Sequence, residues 1–172
     1  MYEPLRDLLD IAKRDKPHVL ILMGPFLDAK SQDLQDGDLA YSEPGSGDMT
    51  FLDYEDMMRL LMNLIKSELS HQKTQVVLVP SAREINHIYP LPQPAYNGKD
   101  FIRIANPQTF KINDITFGTI NADVIKELII STVVKNIEKP KIEVAWRSLL
   151  EQQTYFPVYP GNPSTPIEWS QH

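Results

Sequence analysis

The chain has 172 residues, of which 42% are hydrophobic and 23% charged, and its formal net charge is −6; these values are ordinary for one globular domain. It contains no cysteine, which excludes disulfides, cysteine-ligated zinc, iron–sulfur clusters and thiol catalysis. The longest aliphatic run, Val19–Met23, is far below the ~20 residues of a membrane helix, and the first residues lack the basic and apolar regions of a signal peptide.

The first half of the chain predicts alternating helices and strands. Apolar residues at helical spacing from Leu5 to Ala12 predict a helix that Pro17 ends. The aliphatic run from His18 to Met23 is typical of a buried parallel strand. A second helix is predicted from about Asp53 to Ser70 and a second buried strand at Val76–Val79. This order indicates an α/β fold with a parallel sheet.

An acidic segment separates the first strand from the second helix. Residues 31–56 contain eight Asp and Glu residues and no Lys or Arg, and we interpret them as a solvated excursion. An EF-hand interpretation of Gln32–Glu43 fails because Gln32 and Leu34 would take the first and third ligand positions. The rest of the chain is nearly balanced in charge. Direct DNA binding is therefore not expected, although a role beside DNA through a partner stays open.

The second half predicts a strand, a hairpin and two helices. Asn113-Asp114 suits a two-residue hairpin turn, because Asn and Asp tolerate the left-handed conformation. Asn121 is predicted to cap the third helix. The predicted bounds are 101–104 for the strand, 109–117 for the hairpin, and 121–133 and 142–153 for the helices.

A proline- and aromatic-rich arm, residues 154–172, follows the last helix. Tyr155, Phe156 and Tyr159 alternate with prolines and form a stiff strip suited to docking on a partner. The other interpretation is an arm that packs on its own domain, which needs no partner.

Two loops leave the ends of the predicted parallel strands, where ligands collect in α/β sheets. They run from Gly24 to Asp28 and from Ser81 to His87. If there is a site, these loops line it. The alternative is that the two loops only connect secondary-structure elements and form no site. A two-metal phosphoesterase needs several Asp, His and Asn ligands, and only Asp28 and His87 are plausible. A proline side chain cannot ligate and a guanidinium repels a divalent cation, so we expect no metal and no cofactor here.

Four stretches match, in order, the motifs of one family. They are Lys16–Ala29 (KPHVLILMGPFLDA), Val79–His87 (VPSAREINH) with the following Pro92-Gln93-Pro94, Phe110–Gly118 (FKINDITFG) and Leu149–Pro160 (LLEQQTYFPVYP). Together they span almost the whole chain. This sequence resembles the B subunit, the accessory and second-largest subunit, of DNA polymerase alpha–primase. It departs from the family at Asp114, where a glycine is usual.

The resemblance implies a calcineurin-like phosphoesterase sandwich of mixed sheets flanked by helices, in a family that has lost its metal site. In active phosphoesterases the first loop has the sequence GDxxD and the second has GNH[DE]. Here Gly24 and Asp28 are kept, Pro25 replaces the bridging aspartate, and Ala82 and Arg83 replace the asparagine and histidine. With His87, these are the degenerate positions of the site. The resemblance therefore implies a protein that is not an enzyme.

The resemblance also implies a function and partners. The family holds the C-terminal domain of the polymerase alpha catalytic subunit during initiation of DNA replication in the nucleus, meets primase through the complex, and contacts DNA only indirectly. We expect residues 1–172 to be part of the phosphoesterase-like domain, without the oligonucleotide-binding-type barrel. The alternatives are a divergent metal-dependent phosphoesterase that uses Asp28, Asn86 and His87, and a small interaction module without a replication role.

Overall fold

The computed structural model describes residues 3–37, 39–42, 49–133, 135, 139–163 and 165–168, and shows an α/β fold. The helices are α1 (Glu3–Asp15), α2 (Gln32–Gln35), α3 (Tyr54–Leu69), α4 (Val124–Ser131) and α5 (Lys141–Gln152). The strands are β1 (Val19–Met23), β2 (Ala40–Ser42), β3 (Met49–Phe51), β4 (Gln75–Val79), β5 (Ile102–Arg103), β6 (Gln108–Ile112) and β7 (Ile115–Thr119).

A three-stranded sheet in the order β1-β4-β5 organises the first half of the fold. Both pairings are parallel, with Val19 opposite Gln75 and Val77 opposite Ile102. The central strand β4 is buried from Val76 to Val79, as its unbroken aliphatic run predicts. The predicted parallel sheet is confirmed, while the third strand is shorter than the predicted 101–104.

Helices α1 and α3 pack together against this sheet. The Asp53 carboxylate accepts a hydrogen bond from the backbone N–H of Asp56 at 2.7 Å, which satisfies one of the free donors at the start of α3. Ile65 and Leu69 of α3 are buried with Leu9 of α1 in one apolar cluster. The predicted helix from Asp53 to Ser70 is confirmed, with those two residues as its caps.

Two antiparallel hairpins extend the fold. β6 and β7 pair from Gln108 opposite Thr119 to Ile112 opposite Ile115, and Asn113 takes the left-handed conformation with φ 52°, as predicted. β2 and β3 pair within the acidic segment, which also contains α2 and the start of α3. In its described part this segment is therefore not only an irregular excursion. Residues 38 and 43–48 of the predicted excursion lie outside the described residues.

A second apolar cluster lies between α4 and α5 and includes one residue of the C-terminal arm. Val124, Leu128, Ala145 and Val158 are buried there. No helix in the described part of the chain is both long and apolar enough to cross a membrane.

Candidate functional site

The two loops that follow β1 and β4 meet at the edge of the sheet, as parallel strands require. Asp28 and Glu84 form an isolated antiparallel bridge. The backbone N–H of Ile85 donates to the Leu27 carbonyl at 3.0 Å, and the N–H of Ala29 donates to the Arg83 carbonyl at 2.8 Å. The backbones of the two loops are thus hydrogen-bonded to each other.

The Glu84 side chain is the centre of this edge. It is 2% exposed, and its Oε1 accepts hydrogen bonds from the backbone N–H groups of Phe26 at 2.7 Å and Leu27 at 2.6 Å. Its Oε2 accepts from the Tyr96 hydroxyl at 2.5 Å. One carboxylate therefore joins the first loop, the second loop and the segment that carries Tyr96.

Burial changes the acidity of this pair. Removal from water raises the pKa of the Glu84 carboxyl, although its hydrogen bonds from Tyr96, Leu27 and Phe26 oppose the shift. The pKa of Tyr96 is raised by burial first and by the neighbouring Glu84 charge second. The phenol stays a hydrogen-bond donor across the physiological range, so it serves to hold Glu84 in place.

Two buried side-chain amides, those of Gln93 and Asn106, continue the network away from Glu84. Gln93 Nε2 donates to the carbonyls of Ser81 at 2.9 Å and His87 at 3.1 Å. Asn106 Nδ2 donates to Gln93 Oε1 at 3.3 Å and to the Asn121 carbonyl at 3.2 Å, and its Oδ1 accepts from the Asn121 N–H at 2.8 Å. Gln93 and Asn106 are 1% and 0% exposed, so the interior of this edge is filled by polar groups that satisfy one another.

The predicted helix cap at Asn121 is wrong. Helix α4 begins at Val124, and Asp123 holds the cap position without a side-chain hydrogen bond. Asn121 Nδ2 instead donates to the carbonyls of Gly24 at 2.9 Å and Pro80 at 3.0 Å, the residues directly after β1 and β4. Because the side-chain amide of Asn121 hydrogen-bonds the ends of both strands, it does not cap the helix.

This difference leads to a testable prediction. Asn121→Asp places a carboxylate, which only accepts, against two carbonyl oxygens, so we expect it to lower the free energy of unfolding by about 2 kcal/mol. Asn121→Ala should cost about 1 kcal/mol, because both carbonyls can still accept from water at this partly buried position. Asp123→Ala is the control and should cost about 0.5 kcal/mol or less. Urea unfolding followed by circular dichroism measures all three, and an Asn121→Asp variant as stable as the parent would contradict the role of the Asn121 amide as a donor to these carbonyls.

The residues predicted at the degenerate site are close in space but have other partners. Arg83 Nη2 lies 3.1 Å from Asp28 Oδ2 in an ion pair. His87 Nε2 lies 2.9 Å from the Pro94 carbonyl oxygen, which can only accept, so this nitrogen carries the hydrogen and offers no lone pair. A Cβ built at Gly24 would lie 2.7 Å from Glu84 Oε2, so this glycine is needed for close approach.

The residues at this edge do not fit the two-metal centre of a phosphoesterase. Asp28 is paired with a guanidinium, His87 donates to a carbonyl, and Glu84 is already held by three hydrogen-bond donors. Pro25 and Ala82 have no ligating side-chain atoms. Among the described residues there is no group of three or more His, Asp and Glu side chains arranged to hold a metal ion.

The three aromatic residues predicted for docking have different surroundings. The Tyr155 hydroxyl hydrogen-bonds the Thr109 hydroxyl of β6, and Phe156 packs against the cluster between α4 and α5. Tyr159 is 81% exposed. Tyr155 and Phe156 therefore pack on the arm's own chain, and most of the Tyr159 side chain is exposed to solvent.

Sequence reasoning misses most of the network at the sheet edge. It includes Glu84 only within the second loop, from Ser81 to His87, and Gln93 only within a family motif, and it does not single out Tyr96 or Asn106. Two sequence features indicate part of this network: Gln93 lies between two prolines, and Asn106 directly precedes Pro107. A polar residue flanked by rigid residues is a candidate for a fixed internal hydrogen bond, but the pattern does not name its partner.

Comparison with known proteins gives consistent matches over the whole chain. A family model for the B subunit of DNA polymerases alpha and epsilon matches residues 1–172. The chain is 30% identical to the DNA polymerase alpha B subunit of Dictyostelium discoideum over 99% of its length and 26% of that protein. It is 27% identical to the protein of the same name from Bos taurus, covering 98% of the chain and 28% of that protein. The chain thus spans about a quarter of the length of these relatives.

Proposed function

Because the chain belongs to the family of B subunits of DNA polymerases alpha and epsilon, we propose that it is a non-catalytic scaffold segment of the accessory subunit of DNA polymerase alpha. In this role it holds the C-terminal domain of the catalytic subunit during initiation of DNA replication. The named relatives are alpha subunits, which supports alpha over epsilon. In this proposal residues 1–172 form part of a phosphoesterase-like domain.

One observation supports the proposal most strongly. The polar side chains at the sheet edge make their hydrogen bonds within the protein. In a catalytic phosphoesterase, the groups at this edge must be available to metal ions and substrate. Here Glu84, Gln93, Asn106 and Asn121 bind backbone groups and one another. Such a network rigidifies an edge without reacting, which suits a scaffold.

The proposal extends to partners and location. The catalytic subunit is the direct partner, primase is reached through the complex, and DNA is contacted only indirectly. The net charge of −6 supports the last point, because a surface that binds the DNA backbone is rich in Lys and Arg. A chain with this role works in the nucleus.

The exposed ring of Tyr159 is the proposed contact with the catalytic subunit. Exposed aromatic side chains dominate the binding energy of many interfaces. Tyr155 and Phe156, which pack on their own chain, position the arm that carries Tyr159. The described arm is further fixed where the N–H of Glu168 donates to the Leu91 carbonyl at 2.7 Å.

Calorimetric titration of the full-length protein with the C-terminal domain of the catalytic subunit tests this proposal. We expect a one-to-one complex and a Tyr159→Ala variant that binds about tenfold more weakly. Ile88→Ala is the control, because Ile88 has the same 81% exposure on a different loop. Absence of a complex would refute the scaffold function, whereas a complex with unchanged Tyr159→Ala affinity would refute only the assignment of Tyr159.

A further inference from the structure

An open pocket of about 320 Å³ lies between α3, the end of β5 and the loop that carries Tyr96. Met58 and Met62 of α3, together with Tyr96, supply the apolar part of its lining. Glu55, Arg59 and Arg103 supply its charges. The pocket adjoins the carboxylate network through Tyr96, whose hydroxyl donates to Glu84. The Glu84 side chain itself does not line the pocket.

Arg103 is the unusual residue of this pocket. Its Nε and Nη1 atoms are buried and have no hydrogen-bond partner within the described part of the chain. Together they carry three N–H donors. Buried hydrogen-bond donors nearly always have a partner in folded proteins. The unpartnered donors of Arg103 therefore need an explanation, and a ligand that binds there is one.

The backbone holds the Arg103 guanidinium in position. Gly98 has φ +129°, and a Cβ at this position would overlap the guanidinium group. The loop at Gly98 therefore lies directly against Arg103. Leu78 of β4 pairs with Arg103 of β5 and also lines the pocket, so the sheet fixes the other end of the side chain.

The acids near Arg103 do not satisfy it. Asp100 interacts with it electrostatically, but its carboxylate accepts from Lys66 Nζ at 2.7 Å. Arg59, the second cation of the pocket, forms an ion pair with Asp56. Glu55, which is exposed, is the remaining acid of the lining, and it makes no hydrogen bond to the Nε or Nη1 atom of Arg103.

We propose that this pocket is an anion-binding site in which Arg103 receives a carboxylate or phosphate group and the methionines and Tyr96 contact an apolar body attached to it. Guanidinium groups bind both oxyanions through charge-assisted hydrogen bonds. The site does not depend on the scaffold function, because it uses none of the residues assigned to partner docking. Its ligand is a small anion with an apolar group.

Nuclear magnetic resonance of the arginine Nε–H groups tests the site directly, with inorganic phosphate and phenyl phosphate as probes. We expect the Arg103 Nε–H signal to shift saturably with millimolar phosphate, and phenyl phosphate to bind about tenfold more tightly because of the apolar lining. Arg103→Gln should abolish saturable binding. Arg147→Gln, an exposed arginine on α5, should leave it unchanged.

A second variant keeps the proposal falsifiable if Arg103→Gln does not fold. Glu55→Gln removes the competing carboxylate, so we expect it to raise phosphate affinity severalfold while the protein stays folded. The proposal is overturned if the Arg103 signal does not saturate with either probe. It is also overturned if Glu55→Gln lowers the phosphate affinity of a folded protein, because removing a negative charge beside Arg103 should strengthen anion binding there.

Discussion

Replacing Glu84 with alanine is expected to lower the free energy of unfolding by about 4 kcal/mol, because it leaves three hydrogen-bond donors without an acceptor. These donors are the backbone N–H groups of Phe26 and Leu27 and the Tyr96 hydroxyl. Since Glu84 is 2% exposed, water does not replace the carboxylate readily. Urea unfolding monitored by circular dichroism measures the change.

Glu84→Gln is the matched control for this prediction. The glutamine oxygen can still accept from the two backbone N–H groups, and its amide can donate to the Tyr96 oxygen. We expect a loss of about 1 kcal/mol at neutral pH. Equal losses for alanine and glutamine would show that charge, and not hydrogen-bond geometry, makes Glu84 important. A loss below about 1 kcal/mol for the alanine variant would contradict the central place of Glu84.

The parent protein and Glu84→Gln should also differ in the pH dependence of stability. Burial raises the pKa of Glu84 in the folded protein, so the folded state binds this proton more tightly than the unfolded state. The stability that this proton contributes is fully present below the unfolded pKa, about 4.3, and is lost as the pH rises through the folded pKa. Glutamine does not titrate, so the stability difference should move in favour of Glu84→Gln from acidic to neutral pH. Parallel pH profiles would contradict a raised pKa.

Asn106→Ala is expected to lower the free energy of unfolding by about 3 kcal/mol, the second-largest effect. Asn106 is 0% exposed. Its side-chain Oδ1 accepts a hydrogen bond from the N–H of Asn121, and its Nδ2 donates to the Asn121 carbonyl and to Gln93 Oε1. The substitution leaves these groups unsatisfied and opens a cavity. Because Asn121 ties the ends of β1 and β4, the damage should spread to the sheet edge.

Asn63→Ala is the control for Asn106. Asn63 is an exposed residue of α3, so its replacement should change the free energy of unfolding by about 0.5 kcal/mol or less. Thermal unfolding of both variants provides the comparison. If Asn106→Ala were as mild as Asn63→Ala, the buried amides would be incidental to the fold.

The regular part of the fold was predictable because local patterns determine it. The aliphatic run at Val76–Val79 identifies the central strand, the helical spacing from Asp53 to Ser70 identifies α3, and Asn113 identifies the hairpin turn. Each signal lies within one short stretch of sequence. The meeting of the two strand-end loops also follows, since parallel strands bring their carboxyl ends to one edge.

The hydrogen-bond network was not predictable because its contacts join distant and irregular segments. Asn121 reaches Gly24, which lies 97 positions earlier in the sequence, and Gln93 reaches Ser81 from a proline-rich loop. Irregular segments have no periodicity that shows which side chains face inward. The capping preference of Asn121 is real, but its tertiary contacts with two carbonyl groups outweigh it.

The expectation that the two loops lack metal ligands depended on residue chemistry alone. Pro25 and Arg83 argue against metal binding whatever the fold. The structure adds the ion pair between Arg83 and Asp28 and the His87 hydrogen bond to the Pro94 carbonyl. These contacts could not be read from spacing, because side-chain direction in a loop is set by its neighbours.

Calorimetric titration with manganese and zinc ions distinguishes a structural hydrogen-bond network at the sheet edge from a metal centre. We expect no saturable binding of either ion to the full-length protein, and no difference between the parent and Asp28→Ala. Binding of about two ions per chain that is lost in Asp28→Ala would contradict this expectation and would favour a metal-dependent phosphoesterase.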